Sequence, residues 1–155
     1  MSSEPNAAEI IALLDGCHSL SLATRTQDGS VNLAPALACG LAPDGQDLQV
    51  YLAHSQAGSA LDDIAVHGHV ALFGVNLHDA SQLQLQSRGA MLIPLPADAL
   101  QTVQAQREAI AAEWLMHGYS TRFGYALTSF TADELQLVQL RVSDIEQLAC
   151  AELSA

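Results

Sequence analysis

LATRTQDGSVNLAPAL, residues 22–37, reads as two strands joined by a tight turn. Asp28-Gly29 is the turn signal, because glycine accepts the positive φ that such a turn demands. The strand before it runs from His18 to Thr26, and the strand after it from about Ser30 to Leu41. The second arm, Asn32-Leu33-Ala34-Pro35-Ala36, carries no positive charge.

Working outward, Pro43-Asp44-Gly45 turns the chain again and Leu48 to His54 is a third strand, so the three strands make an antiparallel meander. Upstream, Asn6-Ala7-Ala8-Glu9 has the spacing of a capping box, and Ile10, Ile11, Leu13 and Leu14 follow in a first helix that ends near Gly16. Downstream, Ser55 is placed to cap a short helix through Ala65, with Ala57, Ala60, Leu61 and Ile64 as its buried stripe. Val70 to Asn76 is a fourth strand. Gln82 to Ile93 is a fifth, in which Leu83 and Leu85 alternate with Gln82, Gln84 and Gln86, one face dry and the other polar. Pro94-Leu95-Pro96 ends it, since proline cannot donate to a ladder.

Ala97 to His117 reads as a long helix closed by Gly118 in the C′ position. A shorter helical segment follows over about Thr121 to Phe130, then a sixth strand from Leu135 to Val142 and a short tail. There is no internal repeat, no low-complexity segment and no sign of a second domain. The expected fold is mainly β with added helices, a six-stranded antiparallel barrel in a single domain spanning residues 1–155.

A chain of 155 residues is long enough for one core, burying about 70% of its unfolded surface. Half of the residues are apolar but only 5% are aromatic, so Leu, Ala and Val must fill that core. Seventeen acidic residues face five basic ones, all arginines, for a net charge of −12. Nucleic acid and anionic membrane surfaces are poor partners for such a chain, because both need a clustered basic face. The start, MSSEPNAAEI, lacks a basic segment followed by an apolar one, and no apolar run approaches the ~18 residues of a membrane span. Cys17, Cys39 and Cys150 are odd in number and widely spaced, which predicts reduced thiols and a cytoplasmic protein.

The order of motifs resembles a known family. Ser19-Leu20-Ser21-Leu22-Ala23-Thr24, the Asp28-Gly29 and Asp44-Gly45 turns, Leu48-Gln49-Val50-Tyr51-Leu52, His69-Val70-Ala71-Leu72 and Gln84-Leu85-Gln86-Ser87-Arg88-Gly89-Ala90 together resemble the FMN-binding split-barrel superfamily of the pyridoxamine 5′-phosphate oxidase type. The likeness covers roughly residues 7–93. Arg122-Phe123-Gly124, Leu127, Glu134-Leu135-Gln136-Leu137 and Leu140 are similar to its haem-utilisation branch, although Glu134-Leu135 stands where that branch has Asp-Phe, and its histidine-bearing tail is missing. The resemblance implies a split barrel, a homodimer with two flavin sites at the subunit interface, and FMN-dependent oxidoreductase chemistry.

That family's phosphate-binding cations fall, in this alignment, at Ala34, Cys39 and the Gly58-Ser59-Ala60 stretch, none of them charged. The candidate cofactor contacts that remain are Gln84, Gln86 and Arg88 on the fifth strand, with Ser55 and Ser59 offering hydroxyls near a helix N-terminus. Their plain alternatives are a solvated strand face and a helix cap. Trp114, His117 and Tyr119 cluster at the end of the long helix, either as an aromatic anchor or with His117 as a haem ligand. His67-Gly68-His69 lacks the further ligands that zinc requires, so no metal is expected. Cys17-His18 are strand neighbours that point to opposite faces, which argues against a nucleophile and its base. The function expected is that of an FMN-binding oxidoreductase. The alternatives are a haem-binding or haem-handling protein, and a barrel that has lost its cofactor and acts as a structural or ligand-binding dimer.

Overall fold

The hairpin at Asp28-Gly29 forms as the sequence predicts. The computed structural model describes residues 10, 17–76, 80, 82–120, 122, 129–142 and 144–148. Strand β1 (Cys17–Arg25) pairs antiparallel with β2 (Val31–Pro35), Leu22 opposite Ala34 and Thr24 opposite Asn32. Gly29 turns the chain with φ +91°, and the Asp28 carboxylate accepts from the Thr26 hydroxyl and, at 2.9 Å, from the Ser30 N–H. These bonds to the ionised form hold Asp28 down to about 2.

The second strand is shorter than expected, because the chain changes sheets within it. The Ala36 N–H donates to the Leu20 carbonyl of β1 at 2.9 Å, and the next N–H, that of Leu37, donates to the Tyr51 carbonyl at 2.8 Å. Tyr51 lies in β4 (Leu48–Ala53), which pairs with β3 (Ala38–Leu41). Pro35 is tolerated at the end of β2 because β2 is an edge strand.

The same change of sheet divides the expected fifth strand. Gln82–Ser87 is β6 and Met91–Ile93 is β7, and the bend at Arg88-Gly89-Ala90 carries the chain from one sheet to the other. The expected sixth strand stops at Leu140 as β8 (Leu135–Leu140), and β9 (Asp144–Leu148) pairs with β6 where only a tail was expected. With β5 (Val70–Asn76), nine strands among the described residues form two antiparallel sheets, ordered β2-β1-β5-β6-β9 and β3-β4-β8-β7. This corrects the six-stranded barrel: the sequence reading merged strands that belong to different sheets, and among the described residues no ladder joins the two sheets into a closed barrel.

Two long helices and a short 3-10 turn, Ala132–Glu134, complete the described elements. Helix α1 (His54–His67) starts one residue before Ser55; its N-cap is Ala53, without a side-chain cap. Ser55 is therefore not the cap. Its hydroxyl donates instead to the Glu134 carboxylate, which together with the Thr131 backbone N–H holds Glu134 below its ordinary range. Helix α2 (Ala99–Met116) ends as predicted. Gly118 has φ +92°, its N–H reaches the Leu115 carbonyl and the Tyr119 N–H reaches that of Trp114 at 3.0 Å, a complete Schellman closure. The first helix expected over residues 6–16 lies outside the described residues except for Ile10, which is buried in the core. The segment expected over 121–130 is likewise largely outside them.

The main core lies between the sheets and beneath α1, built from Leu22, Leu72 and Leu85 of one sheet, Val50, Leu52 and Val138 of the other, and Ala60, Leu61 and Ile64 of the helix. Burying each leucine completely contributes about 1.5–3 kcal/mol. A second cluster covers the outer face of the four-stranded sheet, where Tyr51, Ala53, Leu135 and Leu137 meet Ala99 and Val103 of α2. The outer face of the five-stranded sheet is open, with Val31 57%, Leu33 66% and Phe73 38% exposed.

Candidate functional site

Strand β6 has the two faces its alternation predicts. Leu83, Leu85 and Ser87 are buried, whereas Gln82 and Gln86 are exposed and Gln84 is half-buried. On the open face, Gln84 stands opposite Phe73 of β5 and the Glu146 position of β9, and Gln86 opposite Ala71 and the Asp144 position. Arg88 follows at the bend, exposed. The fifth-strand candidates thus form one surface: three amides in a row, a cation at one end and an aromatic ring beside them.

The other candidates lie elsewhere on the chain. Ser55 and Ser59 are exposed near the N-terminal end of α1. The C-terminal end of the same helix meets the β6–β7 bend, where the Ala90 N–H donates to the Gly68 carbonyl at 2.9 Å. Thirteen residues of helical rise separate Ser55 from Gly68, about 20 Å, so within one chain Ser55 and Arg88 sit at opposite ends of α1. His117 is the exposed C-cap of α2, in the layer that covers the four-stranded sheet. Near it the rings of Trp114 and Tyr119 meet edge to face at 5.0 Å, as an aromatic anchor would. The side chains of Cys17 and His18 lie outside the described residues.

At the positions where the family's cations would be, the chain offers no anion receptor. Ala34 is fully buried in the main core. Cys39 is a free thiol that burial pushes up to about 12, so it stays neutral at physiological pH. Gly58 faces open space and Ser59 is exposed, both without charge. The polar face of β6 suits the heteroatom edge of a flat ring, but the residues at the family's cation positions do not fit a flavin phosphate.

The sequence reading missed one polar cluster, at Asp63, and the bonding of another, at His67. Asp63 of α1 is 8% exposed and its Oδ2 accepts from the Thr24 hydroxyl at 2.6 Å and the Asn32 amide at 2.8 Å. These two bonds, the hydroxyl's first, hold the carboxylate below its ordinary range and pin α1 onto the β1–β2 hairpin. At the helix's last residue, the His67 ring lies between two main-chain groups. Its Nε2 lies 2.7 Å from the Arg25 carbonyl and its Nδ1 accepts from the His69 N–H at 2.9 Å. A carbonyl can only accept and an amide only donate, so the ring is the neutral tautomer with its hydrogen on Nε2. Among the described residues no three of His, Cys, Asp and Glu come together as a metal site, and no helix is long and apolar enough to cross a membrane.

No known family's sequence profile matches the chain, and no curated protein matches it. Solved structures do. A pyridoxamine 5′-phosphate oxidase-related, FMN-binding protein from Nostoc punctiforme aligns with a TM-score of 0.53 at 17% identity, over 97% of this chain and 88% of its own. HupZ of Group A Streptococcus aligns with a TM-score of 0.54 at 15% identity, over 97% and 96%. A pyridoxamine 5′-phosphate oxidase homologue from Lactobacillus delbrueckii aligns with a TM-score of 0.53 at 14% identity, over 94% and 95%. The chain has the split-barrel fold of the pyridoxamine 5′-phosphate oxidase-like proteins, as its motifs imply.

Proposed function

We propose that the protein binds FMN and acts, through it, as an oxidoreductase. One observation carries the reading: the fold is shared along 97% of the chain with a protein described as FMN-binding. The open face of β6 supports it, with Gln84 and Gln86 as donors and acceptors for a ring edge and Arg88 as the nearest cation. The bound flavin supplies the hydride or electron chemistry; the chain's contribution is to bind and orient it. Its hold on the phosphate is weak, because Ala34 and Cys39 replace the expected cations. A homodimer in the cytoplasm is part of the same proposal.

A second reading is a barrel that has lost its cofactor and serves as a structural or ligand-binding dimer. The complete burial of Ala34 in the main core favours it, since this side chain cannot reach a ligand. The absorption spectrum of the protein purified from cells separates the readings. Flavin bands support the first and a spectrum without cofactor bands the second. A Soret band would mark a haem-handling protein, with His117 as the ligand to test. In titrations, FMN and riboflavin are expected to bind with similar affinity; much tighter FMN binding would mean that a phosphate receptor lies within reach of the bound ring.

A further inference from the structure

The end of the five-stranded sheet at which β1, β5 and β6 meet α1 gathers cations in a chain that has few. We propose that Arg25, His69 and Arg88 form a binding site for a phosphate dianion, either inorganic phosphate or a phosphomonoester. The site shares Arg88 with the flavin reading, and competition by FMN and by riboflavin tells the two apart. The register that sets Ala23 opposite Ala71 and Val70 opposite Ser87 leaves Arg25, His69 and Arg88 at the same end of three neighbouring strands, one or two residues beyond the last paired positions. Neighbouring chains in a sheet are about 4.8 Å apart, a spacing that lets three side chains converge on one tetrahedral anion.

The main chain beneath these residues is held from both sides. The His67 ring joins the Arg25 carbonyl to the His69 N–H at 2.7 and 2.9 Å. The Ala90 N–H fixes the bend that bears Arg88 through its bond to the Gly68 carbonyl. The rings of His67 and His69 meet edge to face at 5.2 Å. Arg25, His69 and Arg88 are all exposed, and the space beside Gly89 is open. Among the described residues neither guanidinium is joined to a carboxylate. Two of the five arginines of a chain with net charge −12 therefore stand at one sheet end. A guanidinium presents a planar fork of donors. Two forks and an imidazole suit a dianion with three terminal oxygens better than a carboxylate, which one fork satisfies.

The test is titration of the whole chain with inorganic phosphate against chloride at equal ionic strength, followed by calorimetry and by amide resonances. Saturable shifts are expected at Arg25, at 67–69 and at 88–90. Arg25→Gln and Arg88→Gln should each weaken phosphate about tenfold or more, while Arg107→Gln, whose guanidinium lies 5.9 Å over the Phe130 ring beside α2, should leave it unchanged. Competition by FMN but not by riboflavin assigns the site to a phosphomonoester; phosphate binding that FMN leaves untouched assigns it to the free anion. Shifts that chloride reproduces, or phosphate affinity that survives Arg25→Gln, would overturn the proposal.

Discussion

Gln106 lies against Cys39 as an extra strand would. Its Oε1 accepts from the Cys39 N–H at 3.0 Å and its Nε2 donates to the Cys39 carbonyl at 2.9 Å. Cys39 is in β3, the edge of the four-stranded sheet, and a free edge is a template for unwanted pairing. The side-chain amide of α2 supplies a peptide-like donor and acceptor at that edge and fastens the helix to the sheet.

Replacing Gln106 with alanine removes both bonds and should cost about 1–3 kcal/mol, a fall of several degrees in melting temperature for a domain of this size. Gln106→Glu should cost at least as much, because it sets a carboxylate oxygen against the Cys39 carbonyl. Thermal unfolding of the two variants is the measurement. An alanine variant that melts with the wild type would mean that water replaces the amide without penalty.

Gly68 and Gly45 form a matched pair. Their φ angles are +70° and +72°, but a Cβ on Gly68 would meet the Ala90 carbonyl oxygen at 2.9 Å, whereas one on Gly45 would meet nothing within 4 Å. Both alanine variants bear the left-handed cost of about 1–2 kcal/mol. Gly68→Ala should cost at least about 1 kcal/mol more, as overpacking against fixed backbone does. Urea unfolding of both variants tests this; equal losses would show that the β6–β7 bend yields freely.

Acid sensitivity should pass through Asp63. The Thr24 hydroxyl, and then the Asn32 amide, hold its carboxylate below the ordinary range in the folded state, so in acid the unfolded chain binds the proton more readily. The stabilisation is present above the unfolded value of about 3.9 and is lost as the pH falls toward the folded value. Asp63→Asn should therefore lower stability at neutral pH and flatten the acid limb of the stability curve. Unfolding free energies from neutral pH down into acid would show it, and parallel curves for the two proteins would refute it.

The sequence was legible where local chemistry decides the structure. Asp28-Gly29 and Asp44-Gly45 turn the chain, Gly118 closes α2, and the leucine–glutamine alternation sets the two faces of β6. It was illegible where a strand changes sheets. Ala34, Ala36, Leu37 and Ala38 are all buried, so the apolar pattern runs without a break through the point where successive amides turn to different partners. Pro35 and Gly89 were the available signals, each sitting inside an apparent strand at a crossing. Of the candidate site, the β6 face was readable from its period. The His67 ring on the Arg25 carbonyl, and Gln106 at the β3 edge, bond to main chain far away in sequence, and no local pattern announces such bonds.

The open face of the five-stranded sheet yields the last prediction. Leu33 of β2, Ala23 and Ser21 of β1, and Ala71 and Phe73 of β5 are joined by register into one patch, with Val31 opposite Arg25 at its edge; Leu33 is 66% and Val31 57% exposed. The matching face of the other sheet is covered by α2. A contiguous apolar face of this kind is characteristic of an interface, and a two-fold dimer buries the same patch on both copies. The chain should therefore sediment as a dimer at micromolar concentration. Leu33→Asp should shift it to monomer, because each dimer would then bury two carboxylates in a chain already strongly acidic. Leu33 is exposed in the single chain, so the monomeric variant should keep its melting behaviour, within about 0.5 kcal/mol. A wild-type monomer would end the proposal of a homodimer. A Leu33→Asp variant that still dimerises would move the interface elsewhere, with the exposed Leu100, Leu115 and Met116 of α2 as the next apolar surface to substitute.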